Sequence, residues 1–243
     1  MFKSSDSQWD VILSLLGGRS RASLRVTLPE GLTYREMAGV LQHIAEIDSA
    51  AFVDWCESDS VTHIYADESP SMEGYLMPDT YNVNWRDDAS AVGDRLAAGS
   101  RKFWSTCATT RSRHEVLTLA SIVQAEAAAV SEMPRIAGVY SNRLARGIKL
   151  EADPTVQYGR GVRSRVLYRH LQEEHAYNTY VHLGLPLGPI GNPGADAIRA
   201  ALAPERHTFM FFVAKGDGSG LHRFARTGAE HLANVRLYRM MRR

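Results

Sequence analysis

The sequence predicts an α+β protein: a small α/β module up to about Ser71, then a larger mixed unit from Met72 onward. Three observations carry that prediction. The length of 243 residues suits one large domain or two small ones. Capping-box signatures open helices at Thr33–Glu36, Ser112–Glu115 and Thr227–Glu230. Short β-branched or aromatic runs, Ser23–Leu28 and His207–Ala214, stand between the helical segments as strands.

In chain order, Trp9–Leu16 has helical spacing, Ser23–Leu28 alternates as a strand does, and Pro29–Leu32 is a turn. The Thr33 box opens a helix through Met37, Val40 and Leu41 to about Glu46, and Ala50–Glu57 predicts a second. Met72–Asn84 reads as extended around Gly74 and Pro78, and Ala89–Cys107 as a helix. The Ser112 box opens a helix to about Val130, and Ser131 caps another that runs to about Arg146 and stops at Gly147. From Gly147 to Pro193 periodicity is weak and Gly, Pro and Tyr abound, a composition and length that point to function rather than an idle loop. Ala195–Leu202 is a short helix, and the His207–Ala214 and Leu221–Ala225 strands flank a Lys215–Gly220 turn as a hairpin. The Thr227 box opens the terminal helix.

Composition excludes several classes. The 28 Lys and Arg nearly balance 27 Asp and Glu, so a strongly electrostatic nucleic-acid binder is not expected. Cys56 and Cys107 form no C-x-x-C; they are either a disulfide or two lone thiols. No apolar run approaches the ~20 residues of a membrane span. Val11–Leu16 follows Asp6 and Asp10 without a clean cleavage site, which is not the pattern of a signal peptide. His170 and His175 with Glu173 and Glu174 make no zinc motif, Lys215–Gly220 lacks the phosphate-loop order, and Ser121 and Ser141 lack a nucleophile elbow. Neither a metal nor a cofactor is expected.

The helix after Ser112 holds the chemistry. Val116, Ala120, Val123, Ala127 and Val130 make an apolar stripe, and Leu119, Ile122 and Glu126 adjoin it. Glu126 is the only acidic residue between Glu115 and Glu132. Beside such a stripe a carboxylate loses hydration and its pKa rises, which suits a general acid; the alternative is a glutamate that snorkels to solvent. Glu73, Asp79, Glu151 and Asp153 are further carboxylates. Asp153 before Pro154 either caps its own turn or pairs with Glu126 in a two-carboxylate hydrolase. Tyr177-Asn178-Thr179-Tyr180 and Gly184–Gly194 combine aromatic faces, amides and a fixed backbone, as sugar-binding loops and ordinary surface loops both do.

Taken in order, Glu73-Gly74-Tyr75-Leu76, Pro78-Asp79-Thr80-Tyr81, Leu119–Val123 with Glu126, Asn142-Arg143-Leu144, Asp153–Val156 with Tyr158-Gly159, Tyr177–Tyr180 and Gly184–Gly194 resemble the endolytic murein transglycosylases, the YceG-like family. The resemblance runs from about Arg25 to the C-terminus. It implies a lyase that cuts the β-1,4 bond between N-acetylmuramic acid and N-acetylglucosamine within a glycan strand and leaves a 1,6-anhydro end. It implies Glu126 as acid and base, with Glu73, Tyr75, Asp153, Tyr177, Asn178 and Tyr180 lining the cleft, and no metal or cofactor. Residues 1–71 would be a LysM-like module and 72–243 the catalytic domain. The implied partners are peptidoglycan strands and cell-wall synthases of the penicillin-binding class, with no nucleic acid. The implied location is the periplasmic or outer face of the inner (plasma) membrane. Family members usually carry an N-terminal anchor that this chain lacks, so an ectodomain, or a start lying upstream, is expected. Three positions depart from the family pattern. Gln124 stands where a first Glu is frequent, Glu151 where a Gln is common and Leu187 where a Pro is frequent. Glu151, if close, would raise the pKa of Glu126 by repulsion.

Overall fold

The computed structural model describes residues 23–66 and 69–241; the helical spacing of Trp9–Leu16 and the Val11–Leu16 run lie outside them. The chain opens with β1 (Ser23–Thr27), followed by α1 (Tyr34–Ala45), α2 (Ser49–Glu57) and α3 (Asp59–Tyr65). Strand β2 (Thr80–Asn84) returns antiparallel to β1, with Val26 facing Tyr81 and Leu24 facing Val83. The Thr33 capping box forms as expected: its hydroxyl accepts from the Glu36 N–H, and the Glu36 side chain accepts from the Thr33 N–H at 2.8 Å. The helix it opens buries Met37, Ala38, Leu41 and Ala45 along one stripe.

Helix α4 (Ala89–Trp104) packs on α2, and β2 completes the sheet of β1. The expected boundary after Ser71 therefore falls inside a β-α-α-α-β unit rather than at its end. Helix α3 was not expected; it is a seven-residue helix that follows α2 directly after Ser58, whose side chain makes no cap hydrogen bond. Within Met72–Asn84 only the last five residues are extended. The preceding stretch turns at Gly74, whose φ of +84° and close approach to Pro189 leave no room for a Cβ.

The second half is built around α5 (Arg113–Glu126), buried from Val116 through Val123 because α6 (Met133–Ala145), α7 (Asp153–Gly159) and α8 (Ala195–Leu202) all pack on it. The hairpin β3 (Phe211–Ala214) and β4 (His222–Ala225) is antiparallel, and α9 (Gly228–Met241) lies against it. One continuous core runs from Val26 to Ala201, joining both halves.

Two expected elements differ where the site forms. Helix α5 stops at Glu126, not Val130: Ala127 is already extended at ψ 118°, and Val130 is 54% exposed. The alanine run after Glu126 favours helix intrinsically. The chain is instead drawn through a 3₁₀ turn at Val130–Glu132, where buried Glu132 accepts the His222 N–H and bonds its ring Nδ1 at 2.8 Å. Ser131 consequently caps nothing, and α6 starts with Pro134 in its first turn. Asp153 likewise does not cap a turn; it begins α7, with Pro154 following. Cys56 and Cys107 are both free, Cys56 buried.

Candidate active site

Ending α5 at Glu126 puts a carboxyl at a helix C-terminus, where the backbone dipole disfavours negative charge. It also puts that carboxyl between two cavities. One, of about 310 Å³, is lined by Glu126, Tyr140, Asp153, Tyr180, Phe212 and His231 among others. The other, of about 450 Å³, is lined by Glu126, Ala128, the glycines of the β3–β4 turn, His222 and Tyr238. Glu126 thus lines two separate cavities, one on the Asp153–Tyr180 side and one on the β3–β4 turn side.

The surroundings of Glu126 set its charge. Burial pushes its pKa from the ordinary carboxylate range up to about 7. A hydrogen bond from the Tyr140 hydroxyl to Oε1, 3.0 Å, pulls the other way, and the negative charge of Asp153 pushes up again. Oε2 takes no hydrogen bond from any described residue. Tyr140 is itself raised well above its ordinary value, first by burial and then by Glu126, so it remains a donor throughout the neutral range. The like charge acting on Glu126 is that of Asp153. Glu151, proposed for that part from sequence, is instead paired with Arg143 at 3.1 Å.

The Asp-Pro-Thr and Tyr-Asn-Thr-Tyr motifs prove to be one structural unit. Thr155 and Thr179 hydroxyls are 2.9 Å apart, the Ala152 N–H donates to Thr179 Oγ1, and the Glu151 N–H donates to the Thr179 carbonyl. These bonds seat the loop against the start of α7 and bring the Tyr180 hydroxyl to Asp153 Oδ1 at 2.7 Å. Asn178, fully buried, holds the loop: its amide donates to the Leu171 and Glu173 carbonyls and accepts the Tyr180 N–H.

Of the seven sequence-predicted site residues, the structure therefore brings together Glu126, Asp153 and Tyr180. The other four are elsewhere. Asn178 faces inward as just described. Tyr75 is fully buried, its hydroxyl 2.9 Å from His114 Nδ1. Tyr177 packs on Tyr158 with ring centroids 4.7 Å apart. Glu73 is 2% exposed and belongs to a third cavity, of about 560 Å³. There it accepts from the Tyr34 N–H, the Asn192 amide and the Tyr158 hydroxyl. Burial outweighs these donors and raises it to about 8.

Several cleft residues were missed. Tyr140 and Arg143 follow Ile136 at helical spacing, so a polar group on an apolar face was visible there, as it was at Glu126. Arg143 is buried and pins the cleft wall through the Lys149, Leu150 and Met210 carbonyls. His222, held by Glu132, had no local signal, because its partner lies ninety residues earlier, in the turn between α5 and α6. Among the described residues no cluster of His, Cys, Asp or Glu is placed to hold a metal ion, and no helix is long and apolar enough to cross a membrane.

Comparison with known proteins adds the following. A family model described as the YceG-like family matches residues 1–237. An endolytic murein transglycosylase of Bacillus subtilis is 32% identical over 244 residues, covering 91% of this chain and 67% of that relative. Another endolytic murein transglycosylase, from Streptococcus pneumoniae, is 30% identical over 177 residues; the match covers 68% of this chain and 32% of the streptococcal protein. The crystal structure of a YceG-like protein from Listeria monocytogenes superposes with a TM-score of 0.75 at 28% identity, covering 92% of this chain and 80% of that one.

Proposed function

We infer that this chain, which belongs to the YceG-like family, is an endolytic murein transglycosylase with Glu126 as its single acid and base. The observation that carries the reading is a carboxyl raised to about 7, with one oxygen held by Tyr140, lining two cavities that meet at Glu126. In the protonated form Glu126 gives its proton to the glycosidic oxygen between N-acetylmuramic acid and N-acetylglucosamine as that bond breaks. Positive charge develops at C1, and Asp153 supplies a fixed negative charge in the same cleft. The Glu126 carboxylate then removes the proton from the muramic 6-hydroxyl as that oxygen closes on C1. The proton lost in the first step is recovered in the second, and no water is consumed. The 1,6-anhydro end so formed has C1 closed on its own O6, so it carries no activated leaving group and the strand ends there.

The reading carries with it a location at the outer face of the plasma membrane beside penicillin-binding synthases that make the strands. It also makes residues 1–71 a LysM-like module that holds glycan or orients the catalytic domain. Asp153 in the cleft favours one rival, a hydrolase with two carboxylates. Mass spectrometry of un-crosslinked glycan strands, digested beside a Glu126→Gln control, separates the two. Anhydro ends from the wild type and none from the variant are expected; reducing ends, one water heavier, would give the site to the hydrolase. Intact strands that still bind would leave a glycan-binding scaffold.

A further inference from the structure

The cavity at Glu73, about 560 Å³, does not include Glu126, yet neighbouring residues join it to the cleft at Glu126. Ala125 lines the cavity and Glu126 the cleft; Pro154 lines the cavity and Asp153 the cleft. At both places consecutive residues of the chain line the two spaces. Murein supplies a reason for such an arrangement, because each muramic acid carries a short peptide on its lactyl group. That stem leaves the sugar sideways, and at about 3.5 Å per residue it spans more than the thickness of such a wall.

The cavity has the chemistry of a peptide site rather than a sugar platform. Arg35 and Arg163 stand at its mouth with side chains 62% and 61% exposed. Their present partners, Glu57 and Glu36, are solvent-accessible carboxylates, and such pairs exchange readily for a ligand carboxylate. Gln124, whose Oε1 accepts the Gly194 N–H, and Gln157, whose Nε2 donates to the Ser164 carbonyl, leave the other end of each amide along the walls, and Tyr34 and Tyr158 flank the floor at Glu73. Arg163 also donates to the Gly31 carbonyl at 2.8 Å, so it bridges the catalytic half and the start of α1 across the mouth. We propose that this cavity binds the peptide stem of the strand being cut, its carboxylates meeting Arg35 and Arg163 and its amides meeting Gln124 and Gln157. The proposal rests on the murein reading above and extends it to the part of the substrate that the cleft does not hold.

The test uses the intact protein on two substrates, stem-bearing strands and strands stripped by an amidase. Wild type is expected to show a KM about tenfold lower for stem-bearing strands, the effect of one charge-assisted hydrogen bond or more. Arg163→Ala, and Val162→Trp, which fills the cavity from its exposed rim, should bring that ratio close to one. Titration with N-acetylmuramoyl-L-alanyl-D-glutamate against N-acetylmuramic acid alone reads the cavity directly. The peptide form should bind about tenfold tighter, and both variants should lose the difference. An unchanged ratio in both variants overturns the proposal. Peptide binding with equal KM for the two strands also overturns it, and gives the cavity to the stem of a neighbouring strand. If neither strand is cut, the murein reading fails, while the titration still decides whether the cavity takes peptide.

Discussion

Burial raises the carboxyl groups of both Glu126 and Glu73, to about 7 and about 8, yet the two are built for different work. Glu73 has donors on both oxygens, from the Tyr34 backbone, the Asn192 amide and the Tyr158 hydroxyl, and it ties the start of α1 to the loop at Asn192. Among the described residues Glu126 has a single donor, the Tyr140 hydroxyl, and Glu126 also lines a cavity. A raised pKa is therefore a product of burial common to both; an unengaged oxygen beside open space is what singles out Glu126 as the proposed acid. The distinction matters because pKa alone would rank Glu73 first.

The largest expected effects separate the two residues. Glu126→Gln should lower turnover by about 10²–10⁴-fold, the usual contribution of a general acid, with a melting temperature no lower than that of the wild type. Glu73→Ala should leave three donors without an acceptor and cost roughly 2–4 kcal/mol of stability, read from denaturant midpoints. A Glu73→Ala protein as stable as wild type would remove the structural half of the comparison.

Next is the dependence of stability on pH. Both carboxyls are raised in the folded state, so between about 4.5 and their folded values the unfolded chain is ionised while the folded chain holds protons. Stability is then fully present at acid pH and falls as pH rises through 7 to 8. The loss should be of the order of a few kcal/mol, and Glu73→Gln should flatten much of it. Thermal melts from pH 5 to 8.5 check this; a curve that rises with pH would contradict the buried, protonated state.

The smallest effects are opposite shifts in the pH–rate profile. Activity needs protonated Glu126, so kcat/KM should fall as pH rises through about 7. Tyr140→Phe removes the hydrogen bond that favours the carboxylate and should move that limb up. Asp153→Asn removes the like charge and should move it down, each by less than about one unit. Shifts in the same direction would break the assignment of the two neighbours.

Much of this molecule is legible in its sequence, and the reasons are local. The Thr33 capping box, the β1 alternation and the Ala195–Leu202 helix all form within two residues of expectation. Glu126 is marked as a lone carboxylate at the edge of an apolar stripe. What was not legible depends on contacts between distant segments. The end of α5 is accompanied by Glu132 reaching His222 on β4, ninety residues along the chain, against the helix preference of the alanines. The Tyr177–Tyr180 motif looked like a set of sugar contacts. In the structure only Tyr180 reaches the cleft, while Asn178 and Thr179 turn inward to hold it there. A motif's residue types do not reveal which members touch substrate and which position the one that does.

The central claim is that one carboxyl, Glu126, serves as acid and then base, with the substrate's own hydroxyl as nucleophile. Digestion in heavy-oxygen water tests it most directly. The account predicts new ends that carry no solvent oxygen and are one water lighter than reducing ends, with none formed by Glu126→Gln. New ends bearing heavy oxygen at C1 would contradict it, since a solvent water would then have attacked and Glu126 could not be acting alone.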